Sequence, residues 1–207
     1  MLQLAVLGSG RGSNFQAILS AIQQGTLQGV RVSVVISNNS AAGILAIARA
    51  HALPVLHLSQ KQFATEDGFV DAMLDALRVH GANFLVLAGY MKRLPTRVVN
   101  AYRNRILNIH PALLPDFGGE GMYGIHVHRA VLAAGREVSG ATVHLVDEEY
   151  DRGAIVVQQE VPVSLGETPE SLAAKVLAVE HAIYPEAIRL FAEGRVTVTK
   201  NTIAVHQ

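Results

Sequence analysis

The chain lacks cysteine entirely across its 207 residues. That excludes a disulfide framework, a thiolate nucleophile and a Cys-type zinc site. It also lacks a surplus of either charge. Seventeen Lys and Arg balance seventeen Asp and Glu, for a formal net charge of zero. A neutral chain argues against non-specific binding to nucleic acid or to a membrane surface, so neither is expected as a partner. No stretch offers the roughly 20 consecutive apolar residues that a membrane helix needs. The uncharged run Val32–Ala48 is interrupted by SNNSAAG. The opening MLQLAVLGSGRGS has no basic leader ahead of its apolar residues and reads as a first strand, not a signal peptide. A soluble protein working on small molecules is the expectation, and a reducing cytoplasm suits its cysteine-free composition. A monomer and a homodimer are both compatible with it.

What is present is enough apolar matter for a sizeable core: half the residues are hydrophobic and only 16% are charged. Short β-branched or Leu-rich runs alternate with longer helical patterns. Leu2–Gly8 reads as a strand, a glycine-rich turn follows, and a helix spans about Asn14–Gln24. Val30–Ser37 is the next strand, AAGILAIARAH is helical, and PVLHL is a short strand. In DGFVDAMLDALRVHG the apolar positions Phe69, Val70, Met73, Leu74 and Leu77 have helical spacing, Met73 and Leu77 as core, and Gly81 ends the helix. ANFLVLAGY is continuously apolar, as a strand covered on both faces should be. This order predicts an α/β fold: a mostly parallel, open, doubly wound sheet flanked by helices, Rossmann-like in its N-terminal half.

The second half changes character. After RILNIH comes the loop FGGEGMYG (Phe117–Gly124), then a helix near Val127–Ala134. GATVHLVD and AIVVQQEVPV form two strands joined by the acidic turn DEEYDRG. Thr168-Pro169-Glu170 has the marks of a helix start: a capping hydroxyl, proline at the first position, an acid in the first turn. That helix should run towards Gly194 with a kink or break at Pro185. RVTVTKNTIAVHQ suggests a terminal hairpin. With no repeats and no low-complexity linker, residues 1–207 read as one domain, with a mononucleotide-binding half (1–100) and a half that completes the site (101–207).

Two places carry chemistry. The first is LGSGRGSN (Leu7–Asn14), between the first strand and the first helix. Glycines allow a tight turn and close approach of a ligand, and a helix N-terminus presents N–H groups and partial positive charge to an anion. Ser13 and Asn14 add side-chain donors. A plain βα turn is the alternative. The loop is not a dinucleotide fingerprint, because the sixth position counted from Gly8 is Ser13, and the second strand ends in Ser37, Asn38 and Asn39 where an acid is required. Nor is it a P-loop, since no Lys follows its last glycine.

The second is RILNIHPALLP (Arg105–Pro115). Residues two apart in a strand share a face, so Asn108 and His110 project together and Leu107 and Ile109 point the other way into core. Pro111 ends the strand, which leaves the pair at a carboxyl end, where open α/β sheets place ligands. An amide can donate to an oxyanion and a histidine can move a proton near neutral pH. A structural Asn–His pair is the alternative. Asp147, Glu148, Glu149 and Asp151 crowd the later acidic turn, with Asp151 just ahead of the strand AIVV.

The stretches GSGRGSN, AGYMKRLP, LNIHPALLP, VHRAV, GATVHLVDEEYDRGAIVVQ and EHAIYPEAI, in that order, resemble the phosphoribosylglycinamide formyltransferase family over nearly the whole chain. The Asn-x-His-Pro segment with its distant Asp belongs to a wider formyltransferase superfamily; the Gly-Ser-Asn loop and the Glu-His of the last helix single out this member. The resemblance implies transfer of a formyl group from 10-formyltetrahydrofolate, as co-substrate, to the primary amine of glycinamide ribonucleotide in de novo purine synthesis. It implies Asn108 as oxyanion donor, His110 as the acid that protonates the leaving nitrogen or supports the oxyanion, and Asp151 as the charge that raises the histidine pKa. Gly12, Ser13 and Asn14 match the family's phosphate loop, and Glu180 its ribonucleotide-contacting acid. Met91, Lys92, Arg93, Leu94, Asn108, Asp147 and Asp151 match its folate pocket. Glu66 stands about where many relatives carry a folate-contacting arginine, a departure that puts that contact in doubt. A formyltetrahydrofolate hydrolase, another superfamily formyltransferase and a non-catalytic nucleotide-binding module are the rival readings.

His126 and His128 form H-x-H, but on a helix they face different sides and no third ligand is evident, so no metal is expected. His144 alternates with apolar neighbours and reads as a packed or supporting residue.

Overall fold

The apolar runs become strands covered on both faces. In β1 (Leu2–Leu7) the last four residues are buried, as are the last four of β2 (Val30–Ser37) and all of β4 (Phe84–Leu87). Such runs suit parallel pairing, whose crossover helices cover the sheet. β1 pairs in parallel with β2 on one side and β4 on the other, and β2 with β3 (Val55–His57). The crossovers are α1 (Ser13–Gln23), α2 (Gly43–Ala50) and α3 (Glu66–Val79). α3 begins where the Thr65 hydroxyl oxygen accepts the Gly68 N–H at 3.1 Å and ends before Gly81, in the left-handed region at φ 64°. The chain also forms a 3-10 turn at Gln60–Gln62 and α4 (Thr96–Ala101), both too short for a periodic signal.

The computed structural model describes residues 1–199 and 202–206 of the chain. Its main sheet has seven strands in the order β3-β2-β1-β4-β5-β6-β7, where β5 is Ile106–His110, β6 is Val138–Leu145 and β7 is Ile155–Pro162. The chain divides into two compact units, Met1–Leu107 and Asn108–Gln207. In the first unit the strand order reverses at β1: β2 and β3 extend to one side, and the chain returns to lay β4 on the other. The loops after β1 and β4 leave the sheet at that switch point, the usual ligand position in such folds.

In the second unit α6 (Pro169–Ala192) covers the antiparallel pair β6–β7, and α5 (Ile125–Ala133) packs against α6. Val127 and Val131 of α5, Val143 of β6 and Val176, Tyr184 and Ile188 of α6 are buried. α6 starts as expected, with Pro169 at its first position and a capping box between Thr168 and Ser171. The expected break at Pro185 does not occur: the helix runs through it to Ala192. Proline removes the N–H that would reach the His181 carbonyl, but Ile183, Tyr184, Ala187 and Ile188 are buried on either side of it. That packing outweighs the loss of about 3 kcal/mol assigned to an interior proline. A separate two-stranded antiparallel sheet, β8 (Val196–Thr199) with β9 (Thr202–Val205), matches the terminal hairpin; Lys200, Asn201 and Gln207 of that expectation lie outside the described residues. Among the described residues no helix is long and apolar enough to cross a membrane.

Candidate active site

In the first unit the glycine-rich loop meets the loop after β4 through Ser9. Its N–H donates to the Gly89 carbonyl at 2.9 Å, its hydroxyl donates to Asn38 Oδ1 at 2.5 Å, and its oxygen accepts the Met91 N–H at 2.8 Å. One short side chain thus ties the ends of β1, β2 and β4 together at the switch point. Gly12 precedes α1 at φ 88°, and a Cβ there would lie 2.8 Å from the Ile44 Cα. Both facts demand glycine. The first turn of α1 carries no acid, and its leading N–H groups have no intrahelical acceptor. Ser13 and Asn14 open this turn, Asn14 buried. The loop therefore has the build of an anion cradle.

Lys92, Arg93 and Leu94 line a cavity of about 500 Å³ together with Glu66, Phe69 and Tyr90. Leu94 is buried and Met91 exposed. Burial pushes the Tyr90 hydroxyl up to about 12, so it stays a neutral donor at physiological pH. The acid at Glu66 and the cations at Lys92 and Arg93 line one cavity, a juxtaposition that the linear sequence leaves open.

The second unit holds the titratable cluster. Asn108 and His110, on one face of β5, meet Asp151 and His144. The His144 Nδ1–H donates to the Leu145 carbonyl at 2.9 Å, so in the neutral ring Nε2 is an acceptor, and the Asn108 amide donates to it at 3.1 Å. His110 commits its Nε2–H to the Phe117 carbonyl at 2.8 Å. Its Nδ1 then faces Asp151 Oδ2 at 3.6 Å, while Asp151 Oδ1 lies 3.5 Å from His144 Nε2. The His110–Asp151 spacing exceeds a hydrogen bond; it becomes an attraction once Nδ1 gains a proton. Asp151 sits in the turn before β7 at φ 53°, a left-handed conformation that Asp tolerates better than most residues.

The protonation states follow from opposing effects. Burial pushes the His110 pKa down, Asp151 and the Phe117 carbonyl push it up, His144 pushes it down, and the net direction is down. Asp151 raises the His110 pKa, as expected, but taking the imidazolium out of water lowers it by more. Burial also raises the Asp151 carboxyl, yet His144, His110 and the Gly119 N–H together hold it below its ordinary value. The resting pair is a neutral imidazole beside an ionised carboxylate.

The sequence reading missed what organises this pair. In the Phe117–Gly124 loop, Phe117 supplies the carbonyl that sets the His110 tautomer, and the Gly119 N–H donates to Asp151 Oδ2 at 2.9 Å. Gly118 lies so close that a Cβ would come within 2.6 Å of the Leu114 side chain and 3.1 Å of Asp151 Cβ. Backbone groups leave no residue-type signal; the paired glycines after Phe117 were the available hint. His144 supports the site from β6: it accepts the Asn108 amide, and its Nε2 lies 3.5 Å from Asp151. Asp147 spends one oxygen on the Glu149 N–H, at 2.9 Å. Glu180 is buried on α6. His126 is exposed and His128 buried on α5, and among the described residues no three His, Cys, Asp or Glu side chains are grouped to hold a metal ion.

The sequence profile described as formyl transferase matches residues 2–188. Over 97% of its length the chain is 36% identical to the phosphoribosylglycinamide formyltransferase of Escherichia coli, covering 92% of that protein. The chain belongs to the phosphoribosylglycinamide formyltransferase family. A crystal structure of glycinamide ribonucleotide transformylase 1 from Symbiobacterium toebii superimposes with a TM-score of 0.93 at 40% identity, covering all of this chain and 95% of that one. A chloroplastic phosphoribosylglycinamide formyltransferase of Arabidopsis thaliana is 44% identical over 94% of the chain. The chain spans just under two-thirds, 66%, of that plant relative's length. Within this formyltransferase family frame, the mostly parallel sheet has the expected fold, and the two sequence features that single out the family, Gly12-Ser13-Asn14 and Glu180-His181, lie at the start of α1 and within α6.

Proposed function

We propose that the chain transfers the formyl group of 10-formyltetrahydrofolate to the primary amine of glycinamide ribonucleotide, as a single formyltransferase domain working in the cytoplasm as a monomer or homodimer. The observation that carries this reading is the cluster of buried His110 and His144 with half-buried Asn108 and Asp151, in which a neutral imidazole faces an ionised carboxylate beside an amide donor. Sequence identity to proteins named for this activity supports the choice of substrates.

In the proposed reaction the amine nitrogen attacks the formyl carbon and a tetrahedral intermediate forms. The Asn108 amide, with one N–H given to His144, uses its other N–H for the oxyanion. The new ammonium gives up a proton, neutral His110 accepts it, and Asp151 stabilises the imidazolium. The carbon–nitrogen bond to the folate then breaks, and the same proton goes to the departing nitrogen. Amine and formyl donor become amide and tetrahydrofolate, with no covalent enzyme intermediate. Because His110 rests neutral, it acts first as proton acceptor and then as acid, instead of starting as the acid.

The remaining assignments follow the family motifs. Gly12, Ser13 and Asn14 take the ribonucleotide phosphate, and Glu180 contacts the same substrate. Met91, Lys92, Arg93, Leu94, Asn108, Asp147 and Asp151 take the folate. The cradle geometry of Gly12 and the cavity at Lys92–Leu94 support them. The test follows tetrahydrofolate release by purified protein with 10-formyltetrahydrofolate, with and without glycinamide ribonucleotide. Release should require the ribonucleotide; equal release without it would identify a hydrolase and contradict this reading.

A further inference from the structure

Between His110 and Phe117 the chain has no helix or strand, yet it must return the Phe117 carbonyl to 2.8 Å from the His110 ring. Two side chains of the β6–β7 pair hold that path. Thr142, fully buried on β6, donates its hydroxyl proton to the Ala112 carbonyl at 2.6 Å and accepts the Leu114 N–H at 3.1 Å. Gln158, its register partner on β7, donates one amide hydrogen to the Leu114 carbonyl at 3.0 Å and the other to the Thr142 oxygen at 2.9 Å. The threonine oxygen has one donor and two acceptor sites, and all three are used; so are both amide hydrogens of Gln158. Thr142 is buried and Gln158 exposed, and their shared bonds together favour one conformation of the segment from Ala112 to Leu114.

We propose that Gln158 is a positioning residue for formyl transfer: by clamping Leu114 and Thr142 it holds the segment that aims the Phe117 carbonyl at His110 Nε2. Gln158 touches neither the reacting atoms nor His110. It acts on the tautomer and orientation of the imidazole through the chain from Leu114 to Phe117. The proposal rests on the reading of His110 as the proton-transfer group. The charged or titratable groups facing His110 within this unit are Asp151, His144 on β6 and His128 on α5; Gln158 adds no charge to that set, so its replacement by an uncharged residue changes only geometry.

Gln158→Met keeps length and packing and removes both donors. The His110 titration midpoint, read by NMR in histidine-labelled protein without substrates, should fall by about half a unit, because the Phe117 hydrogen bond favours the protonated ring. kcat should fall roughly tenfold or more, with KM for both substrates unchanged. Gln158→Leu is the second variant and should behave alike. A wild-type His110 midpoint and kcat in both variants, with or without a lower melting temperature, would overturn the proposal. The titration needs no turnover, so wild-type protein inactive as a transferase would count against the function reading while leaving the midpoint comparison intact.

Discussion

The switch-point end of the first unit and the imidazole cluster of the second are built on opposite principles. The first is a main-chain site: a left-handed glycine, a helix N-terminus and a serine that gathers three strand ends. The second is a side-chain site whose members are aimed by main-chain groups of a loop. A main-chain cradle recognises a charge that the ligand brings, and it needs little pKa adjustment. A side-chain cluster must set its own charges, and here burial overrides the carboxylate at His110. The proposed binding and the proposed chemistry thus fall in differently constructed regions, which makes them separable by mutation.

The sharpest separation should come from Asn108→Ala. Loss of one oxyanion donor costs about 100- to 1,000-fold in kcat, and ribonucleotide affinity should stay near wild type. A fall in affinity as large as the fall in kcat would collapse the distinction between the regions. Next is the converse change. Ser13→Ala with Asn14→Ala should weaken ribonucleotide binding by roughly 10- to 100-fold, the worth of one or two hydrogen bonds to a charged group. Folate binding, measured by calorimetry, should change far less; equal losses would show that the loop is not a phosphate cradle.

Acid should expose the cluster's burial. The folded-state pKa values of His110, His128 and His181 are lowered, in each case chiefly by burial. Below their ordinary value of 6.5 the unfolded chain takes up protons that the folded chain resists, so stability falls as pH drops from there. Asp151, held below its ordinary 3.8, adds stability that is present above that value and is lost as pH falls through its folded value. The melting temperature should therefore decline from neutral pH into acid, and His128→Leu should flatten the decline. A flat profile in the wild type would contradict the burial account. The smallest effect lies outside both regions: Thr168→Ala, which removes the α6 cap, should cost about 1 kcal/mol in denaturant unfolding and leave kcat unchanged.

Much of this was legible beforehand, and the reasons are physical. Strand alternation placed Asn108 and His110 side by side, and continuous apolar runs marked β1, β2 and β4 as doubly covered strands. The glycine-rich turn before α1 could be read because its backbone requires glycine at Gly12. What could not be read was set by distance through the fold. The balance of desolvation against Asp151 at His110 depends on how deeply the ring is buried. The roles of Phe117 and Gly119 belong to backbone atoms that every residue carries. Pro185 misled because the rule for an interior proline omits the packing of Tyr184 and Ile188 on either side.

The proposed chemistry turns on the resting state of His110. Histidine-selective NMR of the wild-type protein, titrated through neutral and acid pH, reads both its midpoint and its tautomer. The prediction is a midpoint below 6.5 with the neutral ring protonated at Nε2, as the Phe117 carbonyl requires. A midpoint above that value, or a neutral ring protonated at Nδ1, would contradict it.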